Sequence, residues 1–224
     1  MQKLSRKEVI TLAGTTGDIS GYDLSGLDLG NLDLIAVRFR GSDLKGAKLN
    51  KSNFSISDFE NADLSACDLS SSNFTGADFR HAQLEQSDLS FSTFTGADFS
   101  RSNLRNANLA NAKISNAVFE DADLSGANLQ MTDAALTRFI NARMEGVDAY
   151  GASMTGAKLS SAILQNAKLH GTDLNGADLS AADMTDAVLL EASLTGADLT
   201  GAVMLRTHLE RSDLTRAKLE GIKK

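Results

Sequence analysis

Proline is absent from all 224 residues, as is tryptophan; there is one cysteine, Cys67, and there are three histidines. A chain of this length without proline is one in which nearly every backbone N–H is needed, because proline would delete a donor from a ladder. One cysteine excludes an internal disulfide and a multi-cysteine metal site, and it suits a reducing compartment. Cations are fewer than carboxylates, giving a net charge of −7. That balance argues against direct nucleic-acid binding, which is driven by cations on phosphate. Long apolar runs are also missing. Val9–Ala13 follows Glu8 directly and is shorter than the apolar core of a secretory signal, roughly 7–15 residues. Nothing approaches the roughly 18 apolar residues of a membrane span. The chain reads as a soluble, cytoplasmic protein.

What is abundant is repetition. Asn73-Phe74-Thr75-Gly76-Ala77-Asp78-Phe79 returns twenty residues later as Thr93-Phe94-Thr95-Gly96-Ala97-Asp98-Phe99. Stepping by five from Leu24 to Leu219 visits 40 positions, and all but Ala134 and Ala149 are Leu, Phe, Met or Ile. Two residues before each of these centres stands a small residue, almost always Ala, Ser or Thr; Tyr22, Leu27, Leu32, Val37 and Val147 are larger. A period of five is neither helical nor that of a plain strand. It suits a chain that turns a corner every five residues, with the centre and the small residue facing inward together.

The phenylalanines set the number of sides. With four units per coil, residues twenty apart stack: Phe39, Phe59, Phe79, Phe99, Phe119 and Phe139 form one ladder, and Phe54, Phe74 and Phe94 a second on the neighbouring side. Stacked like residues give continuous ladders in repeat folds. Nine of the ten phenylalanines fall on these ladders, so the coil is four-sided; Phe91 alone lies off them, at an outward slot.

The units "ADLSA", "ADFRH", "ANLQM" and "ADLTG" resemble the A-(D/N)-L-x-x consensus of the pentapeptide-repeat family, over roughly residues 20 to 221. The resemblance implies an all-β fold, a right-handed quadrilateral β-helix of about ten 20-residue coils, about 48 Å long at a spacing of about 4.8 Å. A leucine-rich repeat, tempting at "YDLSGLDLGNLDL", is rejected by the uniform fives.

The ends differ. Ser5 and Glu8 have capping-box spacing, Leu4 and Val9 that of a hydrophobic staple, and Gly14 is a candidate stop. The expected organisation is an N-terminal cap over residues 1–20 with a short helix at about 5–13, the β-helix over 21–221, and a tail at 222–224. Toward the other end Ile163, Val188, Leu190, Val203 and Leu205 occupy outward positions. Apolar residues beside an open edge point to association, here a homodimer through the C-terminal coil; the bland alternative is strand propensity. In residues 131–154 two centres shrink to Ala134 and Ala149. Either this is a kink used for binding or, as we favour, compensated packing in which Leu136 turns inward and Met residues fill the gaps.

No constellation points to catalysis. The aspartates before the centres suit hydrogen bonding at corners. His81, His170 and His208 occupy separate coils, Cys67 sits at a small inward position, and "GTTGDISG" lacks the Lys-Ser/Thr of a phosphate loop. No cofactor or metal is expected, and no enzymatic activity. The expected function is a rigid scaffold or protein-interaction module whose protein partner the sequence does not name. The candidate contacts are Phe91, Ile163, Val188, Leu190, Val203 and Leu205. Phe91 reads either as a corner residue folded onto its neighbours or as an anchor for a partner. The resemblance implies an alternative, since some members of the family mimic DNA and protect DNA gyrase or topoisomerase from quinolones or toxins. Lys48, Lys51, Arg38, Arg40, Arg105, Arg143, Lys158 and Lys168 interrupt the acidic stripes such mimicry needs.

Overall fold

The computed structural model describes residues 1–224. From Lys3 to Lys223 the backbone pairs with itself through single parallel bridges between residues twenty apart, such as Asp23 with Asp43 and Asp43 with Asp63. Four bridges recur in every twenty residues, so the chain is a four-sided β-solenoid. We name its sides after their first centres: Leu24, Leu29, Leu34 and Phe39.

One unit shows why the period is five. The Ser42 N–H closes a turn on the Phe39 carbonyl (3.1 Å), and the Asp43 N–H reaches back one coil to Tyr22 (3.0 Å). The Leu44 and Gly46 N–H groups reach forward one coil, to Asp63 (2.7 Å) and Ser65 (2.9 Å). The remaining donor, Lys45 N–H, is taken by the Asp43 carboxylate (3.0 Å). All five donors are used, as buried backbone requires.

The corner residue, two past each centre, adopts the left-handed conformation. Gly46 has φ 66°, but so do many residues with side chains: Asn61 at 59°, Arg101 at 59°, Phe91 at 58° and even the β-branched Ile56 at 59°. A side chain there costs about 1–2 kcal/mol relative to glycine.

The interior is a file of centres and small residues, almost all fully buried. Phe39, Phe59, Phe79, Phe99 and Phe119 stack face to face, with centroids 4.7–4.9 Å apart and planes within 3°. The second ladder, Phe54, Phe74 and Phe94, meets the first edge-on, as Phe74 meets Phe79 at 5.5 Å and 61°. Buried serines form a ladder of their own: the Ser52 and Ser72 N–H groups donate to the hydroxyls of Ser72 and Ser92 (both 3.0 Å). Those hydroxyls donate in turn to the Leu49 and Leu69 carbonyls. No buried side-chain polar atom is left without a partner.

One helix, α1 (Arg6–Thr15), interrupts the first turn of the solenoid between Leu4 and Ile19. The capping box forms as its sequence predicts, Ser5 accepting from the Glu8 N–H and Glu8 from the Ser5 N–H. Val9 is fully buried, and Leu12 and Ala13 pack over the large residues of the first coil, Tyr22, Leu27 and Leu32. Gly14 is not the stop. The helix runs on through it, and the left-handed residue that turns the chain is Gly17 (φ 62°), whose N–H bonds the Leu12 carbonyl.

Residues 131–154 are a regular coil, with the bridges through Asp133, Arg138, Arg143 and Asp148 unbroken. Ala134 and Ala149 are buried with Met144, Val147 and Met154 around them. Leu136 does not turn inward to help: it is 58% exposed, because the slot two past a centre is a left-handed corner that directs its side chain outward.

Two outcomes follow. Phe79→Ala should lose about 3–5 kcal/mol in urea unfolding, whereas Phe91→Gly, which relieves a corner and vacates no core, should gain about 1 kcal/mol. The second concerns acid. Hydrogen bonds from the hydroxyl and then the N–H of Ser25 hold the Asp23 carboxyl below its ordinary range, and those of Ser20 lower Asp18 to about 2. Thr215 lowers Asp213 likewise. A carboxylate depressed on folding stabilises fully above its unfolded pKa, near 3.9, and that stability is lost as pH falls through the folded value. The melting temperature should therefore stay level from about pH 7 to 5 and fall between about pH 4 and 2.

Candidate interaction surfaces

The groups capable of chemistry are each engaged structurally. Cys67 is buried, its Sγ 2.9 Å from the Leu44 carbonyl, and burial pushes the thiol up to about 12. Such a thiol is no nucleophile at neutral pH. His170 stacks on Tyr150 (5.3 Å, 14°), with Nε2 3.8 Å from Glu191; His208 lies beside Glu210; His81 is a corner residue. The three histidines are not brought together.

One acidic cluster, Asp58, Glu60 and Asp78, has carboxylates close enough to share a cation. Two arginines already straddle it. Arg40 lies 3.2 Å from Asp58 and 2.7 Å from Glu60, while Arg80 bonds Asp78 and lies 3.2 Å from Glu60. On the Leu24 side Arg105 lies 3.1 Å from Asp123, and Arg143 lies 3.8 Å from it and 2.9 Å from Glu145. Ion pairing thus breaks the acidic columns into mixed-sign networks.

The apolar residues toward the C-terminal end fall on two sides. Ile163 and Val203 are half-buried on the Leu24 side with Asp183 bridged between them, and Leu205, 39% exposed, lies beside Val203. Val188 and Leu190, also half-buried, belong to the Leu29 side, where Val188 is bridged by Lys168 and His208. The Arg206–Asp186 pair stands on the corner between the two groups. They do not form one continuous patch.

Phe91 is 66% exposed on the corner between the Leu29 and Leu34 sides, at one end of an open groove with Lys51, Asn53, Ser71, Asn73 and Thr93. It does not fold onto its neighbours. Ile56, Met131 and Leu136 share its situation: each occupies the left-handed corner slot and each is more than half exposed. Sequence reasoning singled out Phe91 because it broke the phenylalanine ladders. The others were marked by the same five-residue register, two past a centre, but the centres drew attention inward.

No helix of the chain is long and apolar enough to cross a membrane. Comparison with known proteins agrees with the repeat. The model of pentapeptide repeats matches in eight copies, in segments running from residue 19 to residue 223. Among solved structures, HetL is a pentapeptide repeat protein involved in heterocyst differentiation regulation in the cyanobacterium Nostoc sp. strain PCC 7120. It is 28% identical over 98% of this chain and 94% of its own, with a TM-score of 0.43. A trypsin-treated form of QnrB1, a plasmid-mediated fluoroquinolone resistance protein, is 22% identical over 88% of this chain and 89% of its own, with a TM-score of 0.38. A pentapeptide repeat protein of the Arabidopsis thaliana thylakoid lumen is 30% identical over 55% of this chain and 73% of its own, with a TM-score of 0.27. No curated protein matches the chain. The family model runs over nearly the whole length on which the coil repeats: the chain belongs to the pentapeptide-repeat family.

Proposed function

We propose that this protein is a non-enzymatic, rigid scaffold that offers flat sides and an end to protein partners in the cytoplasm. We take the solenoid as right-handed, with about ten coils over residues 21–221, a cap at 1–20 and a tail at 222–224. The observation that carries the reading is the saturation of the rod's own bonding. Every inner polar side chain has a partner, and the acidic cluster and the buried thiol are held by the fold itself. What the sides retain is shape and surface, the means of an interaction module.

The end supplies the first contact. As far as Met204 the centre N–H bonds forward, as Leu189 does to His208 and Leu194 to Asp213. The centres of the final coil, Leu209, Leu214 and Leu219, are partly exposed, and Leu219 is 41% so. We propose that a second copy packs against these residues, with Leu205 and Val203 at the margin of the contact. Leu205→Glu should halve the mass that light scattering gives for the wild-type assembly; a monomeric wild type, or a mass unchanged by the substitution, sinks the end-to-end contact. Gyrase protection draws no support from this surface, since the carboxylates are paired with arginine instead of forming stripes. In a supercoiling assay with gyrase and a fluoroquinolone the protein should give no protection even in large excess. Dose-dependent protection near stoichiometry would overturn the plain-scaffold reading.

A further inference from the structure

Exposed apolar side chains are not spread evenly around this rod. Ten large ones are exposed, of which Met1, Leu205 and Leu219 lie toward the two ends of the chain. Of the other seven, six gather on one side and its two corners, and Tyr150 lies on the neighbouring Leu29 side. Ile35 lies on the Leu34 side itself, and Ile10 of α1 joins it at a small apolar recess. Phe91 and Met131 stand on one corner bordering that side, and Ile56 and Leu136 stand on the other. Single exposed apolar residues need no explanation, whereas a concentration of them on one face marks an interaction site.

The same side is also the one without ion pairs. Its outward positions from Asn53 to Thr155 are Asn, Ser, Thr and one Ala, with Lys113 and Asp133 the only charges. None of the salt bridges, from Lys3–Asp23 to Lys218–Asp198, involves an outward residue of this side. Charge depletion with Phe and Met enrichment is the compositional mark of an interface core. The corner side chains also lie flat along the rod. A Cβ on Gly151 would come within 2.7 Å of Met131 Sδ, and one on Gly156 within 2.9 Å of Leu136 Cδ2. Each bulky residue rests over a glycine of the next coil. The left-handed corners disfavour such side chains, and within the chain they bury little surface in return.

We propose that the Leu34 side is a self-association surface on which two copies lie side by side and parallel, related by a two-fold axis along the rod. This rests on the reading of the rod as an interaction module and is distinct from the end-to-end contact. Such an axis exchanges the two bordering corners within one coil. Met131 of each copy then meets Leu136 of the other, and bulky Phe91 meets Gly96. Ile56 meets the aliphatic stem of Lys51, while Lys113 faces Ser115 and Asp133 faces Ala135. Along the flat of the side no like charges are opposed, although each chain carries −7; only at the last coil does Arg211 meet Arg216, and there Arg211 is already paired with Glu191 of its own chain (3.1 Å). An antiparallel pair that sets Phe91 against Met131 would put Lys113 on Lys113, which selects the parallel one. Area suffices: a quarter of the 9336 Å² surface is about 2,300 Å², and a stable interface needs about 800 Å² per partner, roughly a third of one side.

Cysteine cross-linking tests the geometry directly, because buried Cys67 leaves a silent background. A disulfide needs Cα atoms within about 7 Å. Under mild oxidation the double variant Met131→Cys/Leu136→Cys should form a covalent dimer, and neither single variant should. In sedimentation, Met131→Arg/Leu136→Arg should weaken side-by-side pairing at least tenfold with an unchanged circular dichroism spectrum, since Arg101 already occupies such a corner. Four results would each overturn the proposal. These are a monomeric wild type, cross-linking by Phe91→Cys/Met131→Cys in place of the predicted pair, cross-linking by a single variant alone, and a dimer lost in Leu205→Glu but not in the arginine variant. Any of them leaves the scaffold reading standing, which fails separately if the protein protects gyrase.

Discussion

Everything in this protein depends on how one pentapeptide disposes of five backbone N–H groups. One closes the corner, one reaches to the coil before, two reach to the coil after, and one is taken by the side chain next to the centre. The turn and ladder slots leave almost no spare donor for proline to delete, and the slot after the centre is spoken for wherever Asp or Asn precedes the centre; units built on Lys113, Val118, Arg138 or Val188 lack that acceptor. The same accounting explains the aspartates. They look like an acidic surface in composition, yet all but Asp33 of those in the Asp43 position accept the one N–H that neither turn nor ladder satisfies. Their charge is then exposed for pairing with arginines on neighbouring coils.

Strict backbone accounting leaves the side chains unequal freedom. The centre and the small residue are confined to the interior, where changing volume costs stability. The corner residue is confined in φ but free in direction, so its side chain interacts weakly with the rest of the rod. Glycine and asparagine are the inexpensive occupants. The rod nevertheless carries Arg, Glu, Met, Leu, Ile and Phe there. Functional differences between one such rod and another therefore fall mainly on corners and outward positions, where the fold asks least.

That division also sets what could be read in advance. The five-residue step and the twenty-residue phenylalanine interval are properties of inward residues, and they led directly to a four-sided coil with two aromatic ladders. The capping box of α1 was legible because Ser5 and Glu8 satisfy each other locally. Its end was not: Gly14 looked like a stop, but the helix runs on to Thr15, and the left-handed residue is Gly17. Leu136 was misread for a related reason. An Ala centre invites a neighbour to fill the space, yet the corner conformation forbids that neighbour from turning in, and the gap is met from Met154 and Val147 instead. The apolar residues near the C-terminal end were visible individually. Whether they met depended on which side each occupied and on the charged residues bridged between them.

Electrostatics and apolar exposure divide the rod's circumference. The Leu24 and Phe39 sides are laced with arginine–carboxylate networks, which solvate well and hold each other's long side chains. Pressing another protein onto those sides would strip water from paired charges, a cost that pairing within the rod does not return. The Leu34 side demands less of this, since apart from Lys113 and Asp133 the outward groups from Asn53 to Thr155 are mostly hydroxyls and amides, which lose little when they exchange water for a neighbouring polar group. Its apolar corners gain by being covered. A uniform backbone thus acquires one side on which contact is favourable through side-chain choices the coil itself leaves open.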